Sequence, residues 1–344
     1  MIELDGADGG GQIVRSALSL AALAGESVRI ENVRGARDDP GLKHQHLAAV
    51  ELLAAVCDAD VEGADLGAET LTFEPDSPSG GRYEVDVGTA GSVTLVLDAV
   101  LPLAAAIDGP LAVTIRGGTD VKWSPPIDAV RNVKLPLLRR HDVQAALDVD
   151  RRGFYPAGGG AATLSMAPST PTQIQLTDRG ERRGVRIYSV ASADLADAEV
   201  AERQARGAAA ALPDGVDVIE RSATYADADS TGTALTFRAD YENALAGADA
   251  LGERGKPAER VGEDAVRSFR TFEESAAVVD RHLADQLLVW LALAGGEIAI
   301  PEVTDHVESS IELLGEFGVD AEIESGAEGA AAARIRVRET LDRR

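Results

Sequence analysis

Apolar and polar positions along the chain form short blocks with two periods, and the blocks recur in one order. Over residues 1–75 this order is strand, Gly-rich turn, helix, strand, loop, helix, strand, strand. Apolar residues at helical spacing predict the first helix over 12–24, and Pro40-Gly41 precedes a second helix predicted over 42–56. The first block therefore predicts a βαβαββ unit.

The same order of elements returns twice further along the chain. Residues 82–166 contain a second copy, with one helix predicted over 92–106 and another from Pro125-Pro126 to His141. A third copy near the end has helices predicted over 283–293 and 307–317 and strands over 297–300, 320–323 and 333–337. A period of about 80 residues exceeds that of the usual solenoid repeats, so we expect three packed units rather than an open array.

An interruption separates the second copy from the helices of the third. It has alternating strands over 185–189 and 234–237, a helix predicted over 198–211, and Gly- and acid-rich loops between them. The pattern predicts a small inserted α/β domain. The predicted class is α/β (α+β), with a large three-repeat domain over 1–177 and 271–344 and a smaller domain over 178–270.

The charge of the chain is strongly acidic. Fifty-eight acidic residues face 33 basic ones, which gives a net charge of -25, and only four basic residues are lysine. Because the acid is spread along the chain rather than gathered in a tail, we interpret it as adaptation to high internal salt; an acidic protein that seeks basic partners is the alternative. At about 1 M salt the Debye length is only about 3 Å, so this charge would not repel a polyanion at long range.

Composition excludes several other classes. Hydrophobic residues make up 45% of the chain, which indicates a globular protein, and no run of 18 apolar residues predicts a membrane span. The acidic start lacks the pattern of a signal peptide, and Cys57 is the only cysteine, so we expect a cytoplasmic location without an intramolecular disulfide. No Walker A sequence and no zinc-type His/Cys spacing is present.

The most distinctive loop is the stretch from Arg152 to Gly160, which reads Arg-Gly-Phe-Tyr-Pro-Ala-Gly-Gly-Gly. Glycine content alone favours a turn between two strands, with an anion site formed by free N–H groups as the alternative. The whole string Arg-Gly-x-x-Pro-x-Gly-Gly-Gly, however, resembles the signature of the RNA 3'-terminal phosphate cyclases. That family has three repeats in a large domain and a smaller domain inserted before the last repeat's helices.

The resemblance extends to the first repeat, where Arg34-x-x-Arg37-x-x-Pro40-Gly41-Leu42-x-x-Gln45-His46 is similar to a family loop that faces the active site. By themselves these residues are also typical of a solvated loop and helix face. The resemblance implies that five residues bind RNA or its terminal phosphate: Arg15, Arg34, Arg37, Gln45 and His46. Asp8, in a Gly-rich loop that resembles a shortened family loop, is the implied ligand of a divalent cation, Mg²⁺ or Mn²⁺.

Two further segments resemble the family's nucleotide site. The implied ATP-binding residues are Asp98, His282, Leu283, Ala284, Asp285 and Gln286, where Asp98 replaces the family's usual glutamine. His306, in Thr304-Asp305-His306, matches the position of the histidine that becomes adenylated. Position alone favours an ordinary surface histidine near a helix cap; the resemblance favours His306 as the nucleophile.

The implied activity is the ATP-dependent conversion of an RNA 3'-terminal phosphate to a 2',3'-cyclic phosphodiester through a covalent histidine–AMP. The expected partner is RNA with a 3'-phosphate end, without DNA-specific or membrane binding, and a homodimer is one possible assembly. Two alternatives stay open. One is a catalytically inactive cyclase-like factor in ribosomal RNA processing, which would lack the nucleophile. The other is an enolpyruvyl transferase, whose anionic site would show more paired Lys and Arg.

Overall fold

The computed structural model of the protein describes residues 1–324 and 333–343, and its first 75 residues form one four-stranded sheet with two helices. These elements are β1 (Ile2–Asp5), α1 (Gly10–Ala24), β2 (Val28–Glu31), α2 (His44–Cys57), β3 (Asp60–Glu62) and β4 (Leu71–Glu74). The strand order is β1-β2-β4-β3; β1 and β2 run parallel, and β4 is antiparallel to both neighbours. The sequence predicted the order of these six elements correctly.

The second unit repeats this arrangement. Its elements are β5 (Gly81–Asp86), α3 (Val93–Val100), β6 (Leu111–Gly117), α4 (Ile127–Ala129), α5 (Leu135–Arg139), β7 (Ala145–Arg151) and β8 (Gly160–Met166). The strand order is β5-β6-β8-β7, with β5 parallel to β6 and the other pairs antiparallel.

Both helices of the second unit are less regular than the sequence pattern indicated. The helix predicted over 92–106 becomes a 3₁₀ turn at Leu101–Ala105, and the helix predicted up to His141 contains a π segment at Val130–Lys134 and ends at Arg139. Prolines at 102 and 136 explain the breaks, because proline has no N–H to donate to the carbonyl four residues earlier. The carbonyl of Asn132, which Pro136 leaves free, accepts a hydrogen bond of 2.9 Å from Arg238 Nη1.

The chain then forms one strand of the third unit before the insertion begins. These elements are β9 (Ile174–Leu176), β10 (Arg182–Ser192), α6 (Val200–Ala211), β11 (Val218–Ala226), β12 (Thr233–Tyr241), β13 (Leu245–Leu251) and α7 (Ala258–Glu274). Strands β10 to β13 form a sheet of their own in the order β11-β10-β12-β13, covered by α6 and α7. Helix α7 extends four residues past the boundary at 270 that we placed from the sequence.

The third unit is completed after the insertion. Its elements are α8 (Arg281–Gln286), α9 (Leu288–Ala294), β14 (Gly296–Ile300), α10 (Asp305–Glu316), β15 (Asp320–Glu324) and β16 (Ala333–Glu339). Strand β14 pairs parallel with β9 and antiparallel with β16, so the order β9-β14-β16-β15 matches the first two sheets. The mixed α/β class is confirmed. Independent folding of the inserted lobe stays a prediction, and residues 325–332 and 344 of the predicted large domain lie outside the described residues.

Helix α1 holds the three units together. It contacts α2 of its own unit, α3 of the second unit and α10 of the third. Val14, Ala17, Leu18 and Ala21 on this helix are fully buried, because apolar residues three and four apart share one face. Replacing Leu18 by alanine would cost about 2–5 kcal/mol. The N-terminal end of α1 is thereby fixed beside segments of all three units. No helix within 1–324 or 333–343 is long and apolar enough to cross a membrane.

Candidate active site

A cavity of about 1170 Å³ lies where the three units and the inserted segment meet. Its lining comes from the start of α1, the loop before α2, the turn around Trp123, helix α8 and residues 249–256 of the insertion. Ten of the thirteen residues predicted for the site line this cavity: Arg15, Arg34, Arg37, Gln45, His46, Asp98, His282, Asp285, Gln286 and His306. Segments nearly 300 residues apart in sequence therefore converge as the resemblance implied.

The charge of the cavity is opposite to that of the protein. Eight of its lining residues are basic and four are acidic, in a chain of net charge -25. The basic residues include all four lysines of the chain: Lys43, Lys122, Lys134 and Lys256. Basic side chains concentrated in a cleft attract anionic ligands and hold them by charge-assisted hydrogen bonds. The cavity is therefore suited to a ligand with several negative charges.

His306 lies in the first turn of α10. Thr304 caps this helix, because its Oγ1 accepts a hydrogen bond of 3.3 Å from the N–H of Val307. The His306 side chain is exposed and points into the cavity lining rather than into the core. The positive end of the helix dipole favours negative charge nearby. The imidazole of His306 is therefore accessible to an anionic ligand in the cavity.

Two glutamines connect the first unit to its neighbours at the cavity. Gln12 Nε2, on the first turn of α1, donates hydrogen bonds to the carbonyl oxygen of His306 at 3.3 Å and to Ser310 Oγ. Gln45 Oε1 accepts a hydrogen bond of 3.2 Å from the N–H of Ser92 in the second unit. The resemblance implied that Gln45 contacts RNA. In the structure, its hydrogen bond to Ser92 joins the start of α2 to the second unit.

His46 is 3% exposed and packs directly on the Gly-rich loop. Its Nδ1 accepts a hydrogen bond of 3.1 Å from the N–H of Lys43, so the neutral ring carries its proton on Nε2. A Cβ at position 11 would lie 2.0 Å from this Nε2, so only glycine fits at Gly11. Burial, assisted by the charge of Arg15, lowers the pKa of His46 to about 3. His46 can therefore act as an uncharged donor at neutral pH.

Arg15 lines the cavity and is half-buried, with its Nε atom fully buried. Its Nη1 donates to the carbonyl of Gly11 at 3.1 Å, while its Nε has no hydrogen-bond partner within the described part of the chain. Burial lowers the pKa of Arg15, and the carboxylates of Asp98 and Asp285 oppose this effect. An unpaired guanidinium N–H in a buried position is costly unless a ligand supplies the acceptor. An anionic oxygen is the group that fits.

Arg34 and Arg37 lie on the loop between β2 and α2. Arg34 has a left-handed backbone (φ 58°), and its Nη1 donates to the carbonyl oxygens of Asp39 and Gly41, both at 2.9 Å. These bonds close the loop and keep it at the cavity. Arg37 Nη2 would lie 3.3 Å from a Cβ at position 10, so its guanidinium lies over the Gly-rich loop. Arg34 is thus partly a structural residue, while Arg37 is placed to bind a phosphate.

Two of the four carboxylates that line the cavity form ion pairs, Asp98 with Lys134 and Glu253 with Lys122. Lys134 Nζ donates to Asp98 Oδ1 at 2.6 Å, and both side chains are nearly buried. Burial raises the pKa of Asp285, an effect that His306 and Lys134 oppose from nearby. Asp98, predicted to contact ATP, therefore has a protein partner in the cavity wall and orients Lys134.

The α8 segment starts at an N-cap, Asp280, whose Oδ1 accepts hydrogen bonds of 2.9 Å from the N–H groups of His282 and Leu283. His282, Asp285 and Gln286 line the cavity, whereas Leu283 and Ala284 are buried on the other face of the helix. The latter two are placed to pack the helix, and any contact that they make with a nucleotide is limited to the main chain.

Asp8 is exposed at the Gly-rich turn and is not among the cavity-lining residues. In residues 1–324 and 333–343, no group of three or more His, Cys, Asp or Glu side chains could hold a metal ion by itself. Any divalent cation at this site would have to take most of its ligands from phosphates and water, as Mg²⁺ commonly does.

The signature loop lies outside the cavity lining and connects β7 to β8. Arg152 is buried and donates to both oxygens of Asp120 at 3.2 Å and to Asp128 Oδ2 at 2.7 Å. A Cβ at position 153 would lie 2.4 Å from the N of Gly160, so the glycines allow close backbone packing. The turn interpretation is correct, and the loop supports the segment that carries Trp123.

Several lining residues were missed from the sequence, above all Gln12, Trp123 and all four lysines. Lys43 belongs to the segment that by itself is typical of a solvated loop and helix face, yet it lines the cavity. Its neighbours explain this, because its Nζ donates to the carbonyl of Pro40 at 2.9 Å and pairs with Asp39. The available signal was the scarcity of lysine: each of the four that remain lies at this site.

Comparisons with known proteins give matches over nearly the whole chain. The family model described as RNA 3'-terminal phosphate cyclase matches residues 7–323. A protein of that name from Halobacterium salinarum is 51% identical over 338 residues, covering 95% of this chain and 98% of the relative. Another, from Methanopyrus kandleri, is 40% identical over 360 residues, covering 96% and 99% of the two chains.

Among solved structures, EPSP synthase from Acinetobacter baumannii covers 98% of this chain, at 13% identity and a TM-score of 0.32. This chain spans 65% of that protein's length. A similarity of this size supports no argument about fold or activity.

Proposed function

This chain belongs to the RNA 3'-terminal phosphate cyclase family, and on that premise we propose that it converts an RNA 3'-phosphate to a 2',3'-cyclic phosphodiester with ATP. AMP and pyrophosphate are the other products. The observation that carries the proposal is the position of His306, an exposed imidazole at a helix N-terminus that opens into a cavity lined by eight basic residues.

In the first step, a ring nitrogen of neutral His306 attacks the α-phosphorus of ATP. The bond between that phosphorus and the bridging oxygen breaks, and pyrophosphate leaves. Cations in the cavity, among them Arg15 and Arg37, neutralise the charge that develops on the phosphate oxygens. Asp285 lines the same cavity, where burial raises the pKa of its carboxyl and the nearby His306 opposes this shift.

In the second step, an oxygen of the RNA 3'-phosphate attacks the phosphorus of the histidine–AMP, and the P–N bond breaks. The neighbouring 2'-hydroxyl then attacks the activated 3'-phosphorus, its proton passes to a base, and AMP leaves as the ring closes. His46 Nε2–H and the arginines at the Gly-rich loop supply donors for the terminal phosphate. The neutral state of His46 means that its donation does not depend on protonation near pH 7.

We retain Mg²⁺ or Mn²⁺ in the proposal, with Asp8 as its candidate protein ligand. A divalent cation would neutralise phosphate charge at the site. The ATP-binding role of Asp98 and of residues 282–286 is likewise part of the proposal. Its support is that Asp98, His282, Asp285 and Gln286 line the same cavity as His306.

Cyclisation can be tested on a 3'-phosphorylated RNA oligomer with a 5' label. Incubation with ATP and Mg²⁺ should give a product resistant to phosphatase, which dilute acid reopens to a phosphomonoester. The same oligomer with a 3'-hydroxyl is the control and should remain unchanged. Lack of conversion at low and high KCl would contradict the proposed activity and favour the inactive processing factor. A cytoplasmic location and a homodimer also stay predictions, which cell fractionation and light scattering can test.

A further inference from the structure

Trp123 is the most exposed large hydrophobic side chain among the described residues. It is 95% exposed, although it lines the mouth of the cavity. The other tryptophan of the chain, Trp290, is fully buried. An exposed indole gains nothing from the hydrophobic effect in the free protein, and here its ring is available to a ligand in the cavity that it lines.

The backbone at Trp123 holds the ring outward. Its φ of 62° is in the left-handed region, which is unfavourable for a bulky side chain and points to a functional constraint when the surrounding structure enforces it. Val121, the residue at the start of the turn, is buried, and Ser124 Oγ donates to its carbonyl at 3.2 Å. The turn is therefore fixed, and the ring is presented to solvent in one place.

Two lysines line the cavity together with this ring. Lys122, the neighbour of Trp123 in the chain, has its Nζ 3.0 Å from Glu253 Oε1 of the inserted domain, and Lys256, from the same segment as Glu253, pairs with Asp264 at 2.6 Å. The Lys122–Glu253 ion pair thus joins the Trp123 turn to the insertion, and both line the cavity. An exposed aromatic ring near lysines is a combination with which proteins hold single-stranded nucleic acid, by stacking a base and contacting its phosphates.

We propose that Trp123 stacks on the base next to the 3'-terminal nucleotide of the RNA, with Lys122 and Lys256 beside the connecting phosphates. The inference rests on the proposed function. ATP is small enough to be held within the cavity, whereas a polynucleotide whose 3' end lies at His306 must leave through its mouth. Stacking also persists in molar salt, where screening weakens phosphate contacts.

A binding experiment without chemistry tests the contact directly. Because Trp290 is buried, the accessible tryptophan fluorescence comes from Trp123, so a 3'-phosphorylated RNA of about ten nucleotides, added without ATP, should quench it. Trp123→Phe should keep the affinity but lose the quenching. An oligomer that binds, by anisotropy of a 5' dye, without changing Trp123 fluorescence would overturn the proposal.

Kinetics distinguish the RNA base from the adenine of ATP. Trp123→Ala should raise the KM for the RNA oligomer about tenfold, with Trp123→Phe close to wild type. Formation of the histidine–AMP adduct and cyclisation of a mononucleoside 3'-phosphate, which has no second base, should stay within about twofold. Tyr155→Ala, an exposed aromatic outside the cavity lining, is the matched control and should change none of these values.

Two results would contradict the subsite. A weakened adduct in Trp123→Ala would assign the ring to adenine, and equal losses for the mononucleotide and the oligomer would indicate a structural role. If the wild type forms neither adduct nor cyclic product, the proposed function fails; fluorescence quenching by RNA would still report on the subsite by itself.

Discussion

Gln12 Nε2 donates a hydrogen bond to the main-chain carbonyl oxygen of His306 over 3.3 Å. The two residues belong to the first and third units, 294 positions apart, and each lies in the first turn of its helix. The bond joins the start of α10 to the start of α1, which follows the Gly-rich loop over which Arg37 lies. The proposed nucleophile therefore depends for its position on an interface between units.

Replacing Gln12 by alanine should slow adenylation without unfolding the protein. Loss of the hydrogen bonds costs about 1 kcal/mol each, and a displaced nucleophile loses far more in rate than in stability. We expect the rate of adduct formation at saturating ATP to fall roughly tenfold or more. Ser310→Ala, which removes the other acceptor of Gln12, is the control and should have the smaller effect. Equal rates in Gln12→Ala and wild type would show that this bond does not position His306.

Lys134 and Asp98 should contribute to the stability of the fold only when both charges are present. Lys134→Met leaves a nearly buried carboxylate without its partner, and we expect a loss of about 3–5 kcal/mol in the free energy of unfolding. Asp98→Leu should cost a similar amount, because it leaves a buried ammonium. The double variant should recover most of both losses in a denaturant titration at constant KCl. Additive losses would mean that the two charges do not depend on each other.

His46 should make the protein less stable as the pH falls below about 6.5. Its folded pKa of about 3 is lower than that of the unfolded chain, so between these values the unfolded state binds the extra proton. The free energy of unfolding should therefore decrease by about 1.4 kcal/mol for each pH unit lost in this window. Above pH 6.5 the contribution is complete and constant.

His46→Asn isolates this effect, because asparagine can keep the acceptor for the N–H of Lys43 without titrating. Buried carboxyls with raised pKa values, such as Asp285 and Asp280, act in the opposite direction but are present in both proteins. The stability difference between wild type and His46→Asn should shrink from pH 6.5 to 4.5 in denaturant titrations. A difference that stays constant over this range would contradict a buried neutral His46.

The acidic surface should make the protein require salt. Dense carboxylates repel one another, and salt screens this repulsion over a shorter distance as its concentration rises. The midpoint of thermal unfolding should increase from about 0.1 M to above 1 M KCl. A midpoint of thermal unfolding that stays constant or falls as the KCl concentration rises would favour the alternative, an acidic surface that binds basic partners.

The sequence predicted the order of elements because each unit repeats the same periods and turn residues. It also predicted ten cavity residues, since the family resemblance supplied contacts between distant segments. Periodicity could not show that Pro136 would free the carbonyl of Asn132 for Arg238 of the insertion. Nor could it predict an outward Trp123, which depends on a turn with left-handed backbone. Helix α7, in contrast, was missed although its buried residues recur at helical spacing. Limited proteolysis would show whether the insertion is a separable lobe.

The central claim is that His306, and not His282, carries AMP. Both line the cavity, but His282 lies at the start of α8, whereas the main chain of His306 is held by Gln12, at the start of α1 beside the Gly-rich loop. A phosphoramidate survives alkali and breaks in acid, unlike an acyl phosphate on a carboxylate.

The most direct measurement is the covalent label left by α-³²P ATP in wild type, His306→Ala and His282→Ala, at saturating ATP and in molar KCl. We predict an alkali-stable, acid-labile adduct in wild type, no adduct and no cyclisation in His306→Ala, and a residual adduct in His282→Ala. An adduct in His306→Ala, or its complete loss in His282→Ala alone, would contradict the assignment of the nucleophile.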